Sequence, residues 1–480
     1  MPTIQRTSAL NKKIERCLAQ YLTQYAEPEI AIAQQLTQDE QITPYQHCLV
    51  VPAYDENDHF VQRIQQTFSD DNSTRILLIT VINQPDSAVD TSKSQQLWDT
   101  LLHSYTPTDQ TNNYSNTEDP KDYRLLSINS QIDLLLVDRF HHKIPQQQGV
   151  GLARKIGGDI ACQLIHDKKI DSLWIHYSDA DTHLPVNYFT SLAQTVDQSE
   201  ATHYSAATYP YTHTSSNNAL TDDTLDQATR YYEQHLHYYV DGLKRAGSPY
   251  AYHTLGSCIA SNAYHYCQAR GFPKRSGGED FYLLNKLAKL GNIVELNSPF
   301  LKIESRFSHR VPFGTGPAVE KIVERLQVQN TNEKGAEKNK KKHIDYHPSC
   351  FTELATLITH FDHIFDYKKQ NTNQKSNQYS TEKKSSAYAH YSEWLKPLNK
   401  PLQESLATLC IEKLFAHIDK QIKSKVECHK HCHYWLDGFK TLKLIHLLTE
   451  YYPKKLVSYP NNETDIRISP LTKPKDKRPS

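Results

Sequence analysis

Four short apolar runs, separated by stretches that read as helix or polar turn, constrain this chain more than anything else in it. Cys48 to Val51, closed by Pro52, is the first. Arg75 to Ile82 (RILLITVI), Asp133 to Val137 (DLLLV) and Leu173 to Tyr177 follow, and the more polar Thr202 to Thr208 reads as a fifth strand. Runs as rich in Leu and β-branched residues as RILLITVI read as strands buried on both faces. Between them, Asp58 to Phe68 reads as a helix. Val150 to Ile165 puts Val150, Ala153, Gly157, Ile160, Ala161 and Leu164 on one helical face. Strands alternating with helices predict an α/β fold, a doubly wound, mostly parallel sheet with helices on both faces. Such sheets bind ligands beyond the carboxyl ends of their strands. Function is therefore expected in the loops after Val51, Val137 and Tyr177.

Composition divides the rest of the 480 residues. Residues 1–46 read as a helical lead-in and 47–330 as the α/β domain, with a polar insertion at about 84–123 carrying one short helix around Trp98. A Lys-rich linker (331–349) precedes a helical C-terminal region (350–457), in which 367–390 is low-complexity. Residues 458–480 read as a disordered tail. Further helices are expected at Leu225–Arg245, Glu279–Leu290, Pro317–Val328, 391–424 and 432–451. The hydrophobic share, 38%, is low, as polar insertions around an ordinary core would make it. Lys and Arg total 54 against 54 Asp and Glu, which argues against a nucleic-acid binder working through overall basicity. No apolar run approaches the roughly 18 residues needed to cross a bilayer, so no transmembrane segment is expected. Peripheral membrane contact through the C-terminal lysines stays open. The N-terminus lacks a signal-like apolar core, and nine scattered cysteines fit reduced thiols, so the expected location is cytoplasmic.

Four motifs can carry chemistry. In LWIHYSDADTHLP an apolar strand runs into Asp179-Ala180-Asp181. Two carboxylates at i, i+2 on such a loop can hold Mg²⁺ or Mn²⁺, which leaves its other positions to phosphates and water. The alternative is turn chemistry, with Asp181 or Thr182 capping a helix. Gly277-Gly278-Glu279-Asp280 opens a helix, where acidic residues suit the dipole or where one carboxylate serves as a general base. In GVGLARKIGGD (Gly149 to Asp159), Arg154 and Lys155 near a helix start can meet a phosphate or face solvent. After the first strand, VVPAYDEN offers Tyr54, Asp55 and Glu56 to a base and ribose, while Asp138, expected at the end of the third strand, can meet a nucleobase edge.

Taken in order and spacing, VVPAYDEN, LLLVDR, GVGLARKIG, SDADT and GGED resemble glycosyltransferase family 2, over residues 47–325. GSPYAYHTLGS (Gly247 to Ser257) and HRVPFGTGPAV (His309 to Val319) look like a bacterial subgroup of that family. The resemblance implies the nucleotide-sugar-binding fold called GT-A. It implies that Pro52, Ala53, Tyr54 and Glu56 line a nucleotide pocket, with Asp138 facing the base and Arg154 and Lys155 beside the donor. Asp179 would meet ribose or metal and Asp181 would bind the metal, with His309 as a further metal ligand. Asp280 would be the catalytic base, with Glu279 beside it at the acceptor. The expected reaction moves a sugar from a nucleotide-sugar donor to an acceptor hydroxyl with a divalent cation, by inversion. The chain departs from the family after the second strand, where Asn83-Gln84-Pro85 replaces an Asp-rich turn. The competing readings are a sugar-phosphate nucleotidyltransferase and a scaffold that keeps the fold without the chemistry. Intact Asp179, Asp181 and Asp280 stand against the scaffold. Cys428-His429-Lys430-His431-Cys432-His433 has helical metal-ligand spacing but no second pair, so a polar helix start is expected there. Trp435, Phe439, Leu442 and Leu447 are expected in a core. The Tyr-rich helix beginning at Tyr231 can either line an acceptor groove or simply pack.

Overall fold

Strand β1 (His47–Ala53) is buried along its whole length except at His47. Burial on both faces demands a neighbour on each side. β2 (Ile76–Pro85) pairs with it in parallel from His47↔Ile76 to Ala53↔Ile82. On the other side β6 (Trp174–Tyr177) pairs in parallel from Cys48↔Ile175 to Val50↔Tyr177. The computed structural model describes residues 8–38, 43–69, 74–108, 123–196, 202–215, 223–307, 314–332, 343–375 and 386–457. They form two compact units, one comprising 1–233, 249–326 and 436–439, the other 234–248, 327–435 and 440–480.

The first unit holds a nine-stranded, mostly parallel sheet. Beyond β2 lie β5 (Ile132–Ile144), β4 (Tyr123–Ser127) and β3 (Thr106–Pro107). Beyond β6 lie β10 (Ile259–Asn262), β8 (Tyr204–Thr208) and β11 (Asn292–Glu295). The chain builds outward from β1 through β2 to β5, then returns to lay β6 on the other flank of β1. That reversal makes β1/β6 the switch point, where the strand-end loops diverge and leave a crevice. Two strands run against the rest: β10 between β6 and β8, and β4 beside β5. Neither was expected. IASN is too short and too polar to stand out, and its place depends on distant strands that flank it. The third expected strand is also longer than DLLLV, so Asp138 lies inside β5 and not at its end.

Helices α1 (Ser8–Gln24), α2 (Ile30–Thr37), α3 (His59–Phe68) and α4 (Ser92–Ser104) precede the long α5 (Gly149–His166). The expected one-sided α5 is in fact buried nearly all round, from Gly151 to Ile165. The physical reason is a second cover. Ile14, Leu18, Tyr21, Ile32 and Leu36 of α1 and α2 join the same core as Val50, Ile156 and Ile160. The two helices of the expected helical lead-in, α1 and α2, thus close the back of α5. The insertion does carry its helix, with Trp98 buried on α4, and 109–122 lie outside the described residues.

After β7 (Thr182–His183), α6 (Tyr188–Thr195) and β9 (Tyr211–Thr214), helix α7 (Asp223–Arg245) passes from the first unit into the second. Then come α8 (Ala263–Gln268), α9 (Glu279–Leu287), β12 (Leu301–Glu304) and α10 (Thr315–Asn332). β12 lies between β7, antiparallel, and β9, parallel, in a small second sheet.

The second unit pairs β13 (His343–Asp345) with β14 (Lys455–Val457) and adds helices α11 (Pro348–His360), α12 (Ile364–Lys375), α13 (Ser386–Leu395), α14 (Lys400–Thr408), α15 (Ile411–Gln421), α16 (Lys425–Trp435) and, from Lys440 onward, α17 (Gly438–Leu448). The helical stretch expected over 391–424 is divided among three helices, α13, α14 and α15. Proline explains the first break: α13 stops before Pro397, and α14 restarts with Asn399 capping Leu402 N–H at 3.1 Å and Pro401 in its first turn. The expected low-complexity stretch is helical at 367–375 and 386–390, and the expected linker contains β13; 333–342, 376–385 and the tail lie outside the described residues. Around α17 the buried side chains are Leu436, Leu444, Ile445 and Leu448, whereas Trp435, Phe439, Leu442 and Leu447 are half-buried. All nine cysteines are free thiols. Among the described residues no helix is long and apolar enough to cross a membrane.

The glycine at the start of α5 has a packing role. A Cβ on Gly151 would stand 2.4 Å from the carbonyl oxygen of Pro273 and 2.6 Å from that of Arg275. Those oxygens belong to a backbone held by Gly151 N–H, which donates to Arg275 O at 2.9 Å. Gly151→Ala should therefore destabilise the chain by about 1–3 kcal/mol, despite a gain of up to about 1 kcal/mol in helix propensity. Urea unfolding should show a lower midpoint with the slope unchanged.

Candidate functional site

The crevice is assembled by guanidinium groups that hold carboxylates from different elements. Arg154 on α5 is 3% exposed. Its Nε donates to Glu279 Oε1 at 3.0 Å and its Nη2 to Asp179 Oδ1 at 2.6 Å. Its Nη1 donates to the carbonyl of Gly256 at 3.2 Å and reaches that of Ser178 at 3.5 Å. One buried cation thus ties the loop after β6 to the first turn of α9. Burial works against its charge, but Asp179 and Glu279 outweigh this and hold its pKa above the ordinary arginine value.

A second guanidinium closes the opposite side. Arg306, just beyond β12, takes Glu56 in a bidentate pair at 2.9 and 2.8 Å and reaches Asp181 Oδ2 at 2.7 Å. It therefore bridges the loops after β1 and β6. β12 brings it there, since Glu304 N–H donates to Asp181 O at 3.0 Å. Arg63 on α3 adds a third cation, pairing with Glu304 at 3.4 Å and donating to Ala180 O. His183 Nε2 lies 2.8 Å from Glu304 Oε1.

Gly278 caps α9 with φ of 67°, a left-handed conformation that glycine adopts without strain. Glu279 and Asp280 then fall in the first helical turn. Glu279 is 4% exposed; burial pushes its carboxyl up, against the pull of Arg154. Asp280 keeps some exposed surface but sits in a dense protein shell. Burial first, and the charge of Glu279 second, push its pKa to about 7. Phe281 N–H donates to Asp280 Oδ1 at 2.6 Å. Tyr232 of α7 feels Asp280 as well: burial first, then that carboxylate, raises its phenol. Among the described residues, the carboxylates of Glu56, Asp179, Asp181, Glu279, Asp280 and Glu304 outnumber the guanidiniums of Arg63, Arg154 and Arg306, a balance suited to a bound proton or an added cation.

Of the expected site residues, Asp179, Asp181, Glu279, Asp280, Arg154 and Glu56 are joined in this network. Pro52 and Ala53 are buried at the end of β1, and Tyr54 follows half-buried. Lys155 is a correction. One helical step turns it away from Arg154, and its Nζ donates to Tyr21 Oη at 2.7 Å, Tyr25 O at 3.0 Å and Asp159 Oδ2 at 2.7 Å. Lys155 fastens α1 to α5 and does not face the crevice. Asp138 is also engaged locally, accepting from the N–H groups of Phe140 and His141 at 3.0 Å and lying 2.6 Å from His141 Nδ1. His309 lies outside the described residues.

Sequence reasoning missed Arg306, Arg63, Glu304 and His183. Nothing local marks them, because β12 and β7 meet only in the folded chain. The Cys/His cluster lies on α16, with Cys428 and Cys432 buried and His429 Nε2 3.3 Å from His433 Nε2. Among the described residues, no group of three His, Cys, Asp or Glu side chains is arranged to hold a metal. The Asp179–Asp181 pair supplies two carboxylates, the number with which a Mg²⁺-type ion is held when phosphates and water complete its shell. No protein-family model matches this sequence, and no curated protein matches it either.

Two outcomes follow from this geometry. Arg154→Met leaves Glu279 buried without its guanidinium, so stability should fall by about 3–5 kcal/mol in chemical denaturation. Adding Glu279→Gln should recover part of the loss. The second concerns pH. Asp280 binds its proton more tightly folded than unfolded, so its contribution is complete below the unfolded carboxyl range near 4 and is lost as pH rises through about 7. In cation-free buffer, Asp280→Asn should therefore lose less Tm than the wild type between pH 5 and pH 8.

Proposed function

We propose that this chain is a metal-dependent glycosyltransferase, moving a sugar from a nucleotide-sugar donor to an acceptor hydroxyl, with inversion. The observation carrying this reading is the Arg154 junction. It joins Asp179 of the Asp-x-Asp loop to Glu279 of the Gly-Gly-Glu-Asp turn, at the switch point of a mostly parallel sheet. Residues separated by a hundred positions in sequence are thereby held in one crevice, where such sheets bind nucleotides. The resemblance of the same motifs to glycosyltransferase family 2, which implies the GT-A fold, supports the reading from the sequence side.

In this mechanism Asp181 and Asp179 are the residues that would hold a divalent cation, and the chemistry it would supply is charge stabilisation of a departing nucleoside diphosphate. Tyr54 and the end of β1 flank the nucleotide. Asp280 takes the proton of the acceptor hydroxyl as its oxygen attacks the anomeric carbon, with Glu279 fixed beside it by Arg154. A carboxylate titrating near 7 is well matched to a base working at neutral pH. Tyr232 lies within electrostatic reach of that base, half-buried against Ala228, Val319 and Val323.

The test is thermal stability with UDP-, GDP-, ADP- and dTDP-sugars, with and without Mn²⁺, for wild type and Asp181→Ala. A donor at about 100 times its Kd should add about 2.7 kcal/mol, read as a rise in Tm. The rise should occur with one nucleotide and should require both Mn²⁺ and Asp181. A folded wild type that responds to none of the four refutes the transferase reading and favours a scaffold.

A further inference from the structure

The two arginines that grip the Asp-x-Asp loop are held very differently. Arg154 is buried and spreads its guanidinium over Glu279, Asp179, Gly256 O and Ser178 O. It cannot leave without stranding Glu279. Arg306 has a 30% exposed side chain, and its bidentate pair is with Glu56. Its link to Asp181 is one further contact of the same Nη2, at 2.7 Å. Releasing Asp181 would therefore leave the fork on Glu56 intact.

A divalent cation at Asp181 would sit about 2.0–2.1 Å from a carboxylate oxygen if it is Mg²⁺. A guanidinium on the same carboxylate at contact distance neutralises the charge the ion needs and repels the ion itself. Building on the cation role assigned to Asp181 above, we propose that Arg306 is a displaceable counter-ion. It occupies Asp181 in the cation-free chain and gives it up, while staying on Glu56, when the ion binds. Arg306 thus sets the cation affinity of the site. It also balances the charge of the loops after β1 and β6 until the ion arrives.

The consequence is opposite to that of removing a ligand. Deleting a residue that helps to hold a cation weakens binding, whereas deleting a competitor tightens it. Mn²⁺ binding without donor should be measured by titration calorimetry on the full chain, for wild type, Arg306→Gln, Arg306→Lys and Asp181→Asn. Arg306→Gln should bind Mn²⁺ about 5-fold tighter or more, within the usual range of coupling between two sites. Arg306→Lys, which keeps the charge, should stay near wild type, and Asp181→Asn should abolish binding. Without metal, Arg306→Gln should have a lower Tm than wild type, and Mn²⁺ should narrow the gap.

Unchanged or weaker binding in Arg306→Gln, with Asp181→Asn still abolishing it, overturns the counter-ion role and leaves the cation site standing. Tightening in Arg306→Lys equal to that in Arg306→Gln also overturns it, since charge would then not be the cause. If neither wild type nor Arg306→Gln shows Mn²⁺ binding that Asp181→Asn removes, the cation reading fails and the counter-ion role fails with it.

Discussion

The rest of the crevice depends on one buried guanidinium. Arg154 reaches, from the middle of the domain, the loop after β6, the first turn of α9 and the carbonyl of Gly256. A charge this deeply buried is tolerable only when every direction it faces offers an acceptor. Those acceptors are drawn from three separate parts of the chain, Ser178-Asp179, Gly256 and Glu279. The ion network is therefore a positional constraint: it holds Asp179, Glu279 and, through Glu279, Asp280 at fixed separations. Asp280, next to Glu279, titrates near 7 because of burial first and the charge of Glu279 second, with Arg154 pulling the other way.

The sheet and the small second sheet have separate tasks in this design. The large sheet delivers the ends of β1 and β6 side by side and supports α5 beneath them. The three-stranded sheet delivers Glu304 and Arg306 from the far end of the domain to the mouth of the crevice. Packing on α5 has a similar logic on its hidden side. Asp159 accepts from Tyr21 at 2.5 Å, Tyr266 at 2.9 Å and Lys155 at 2.7 Å, so α1 and α8 are both fastened to α5 by one buried carboxylate. The first helix is thus part of the scaffold that holds Arg154 in place.

Much of this was legible in the chain. β1, β2 and the first half of β5 announce themselves as dense apolar runs, since a strand covered on both faces is built mostly from apolar residues. The Asp-x-Asp and Gly-Gly-Glu-Asp elements could be singled out because each sits where a backbone element ends. The strand β10 was not legible, nor was the extension of β5 past Asp138. Both are decided by which strands flank them. Arg154 and Lys155, adjacent in sequence, looked equivalent. They differ because one helical step is about 100° of rotation, and the fold places a crevice on one side and α1 on the other.

The sequence by itself determined the class of sheet, the helices that alternate with its strands and the two acidic motifs that fall at strand and helix ends. Local apolar patterning and backbone preferences suffice for these. Tertiary structure alone decided that the two motifs share one buried arginine, that Lys155 serves α1, and that Arg306 reaches Glu56 and Asp181. Each of these rests on contacts between residues distant in the chain. The energies that select them, burial and charge pairing in a low-dielectric interior, exist only once those residues have been brought together.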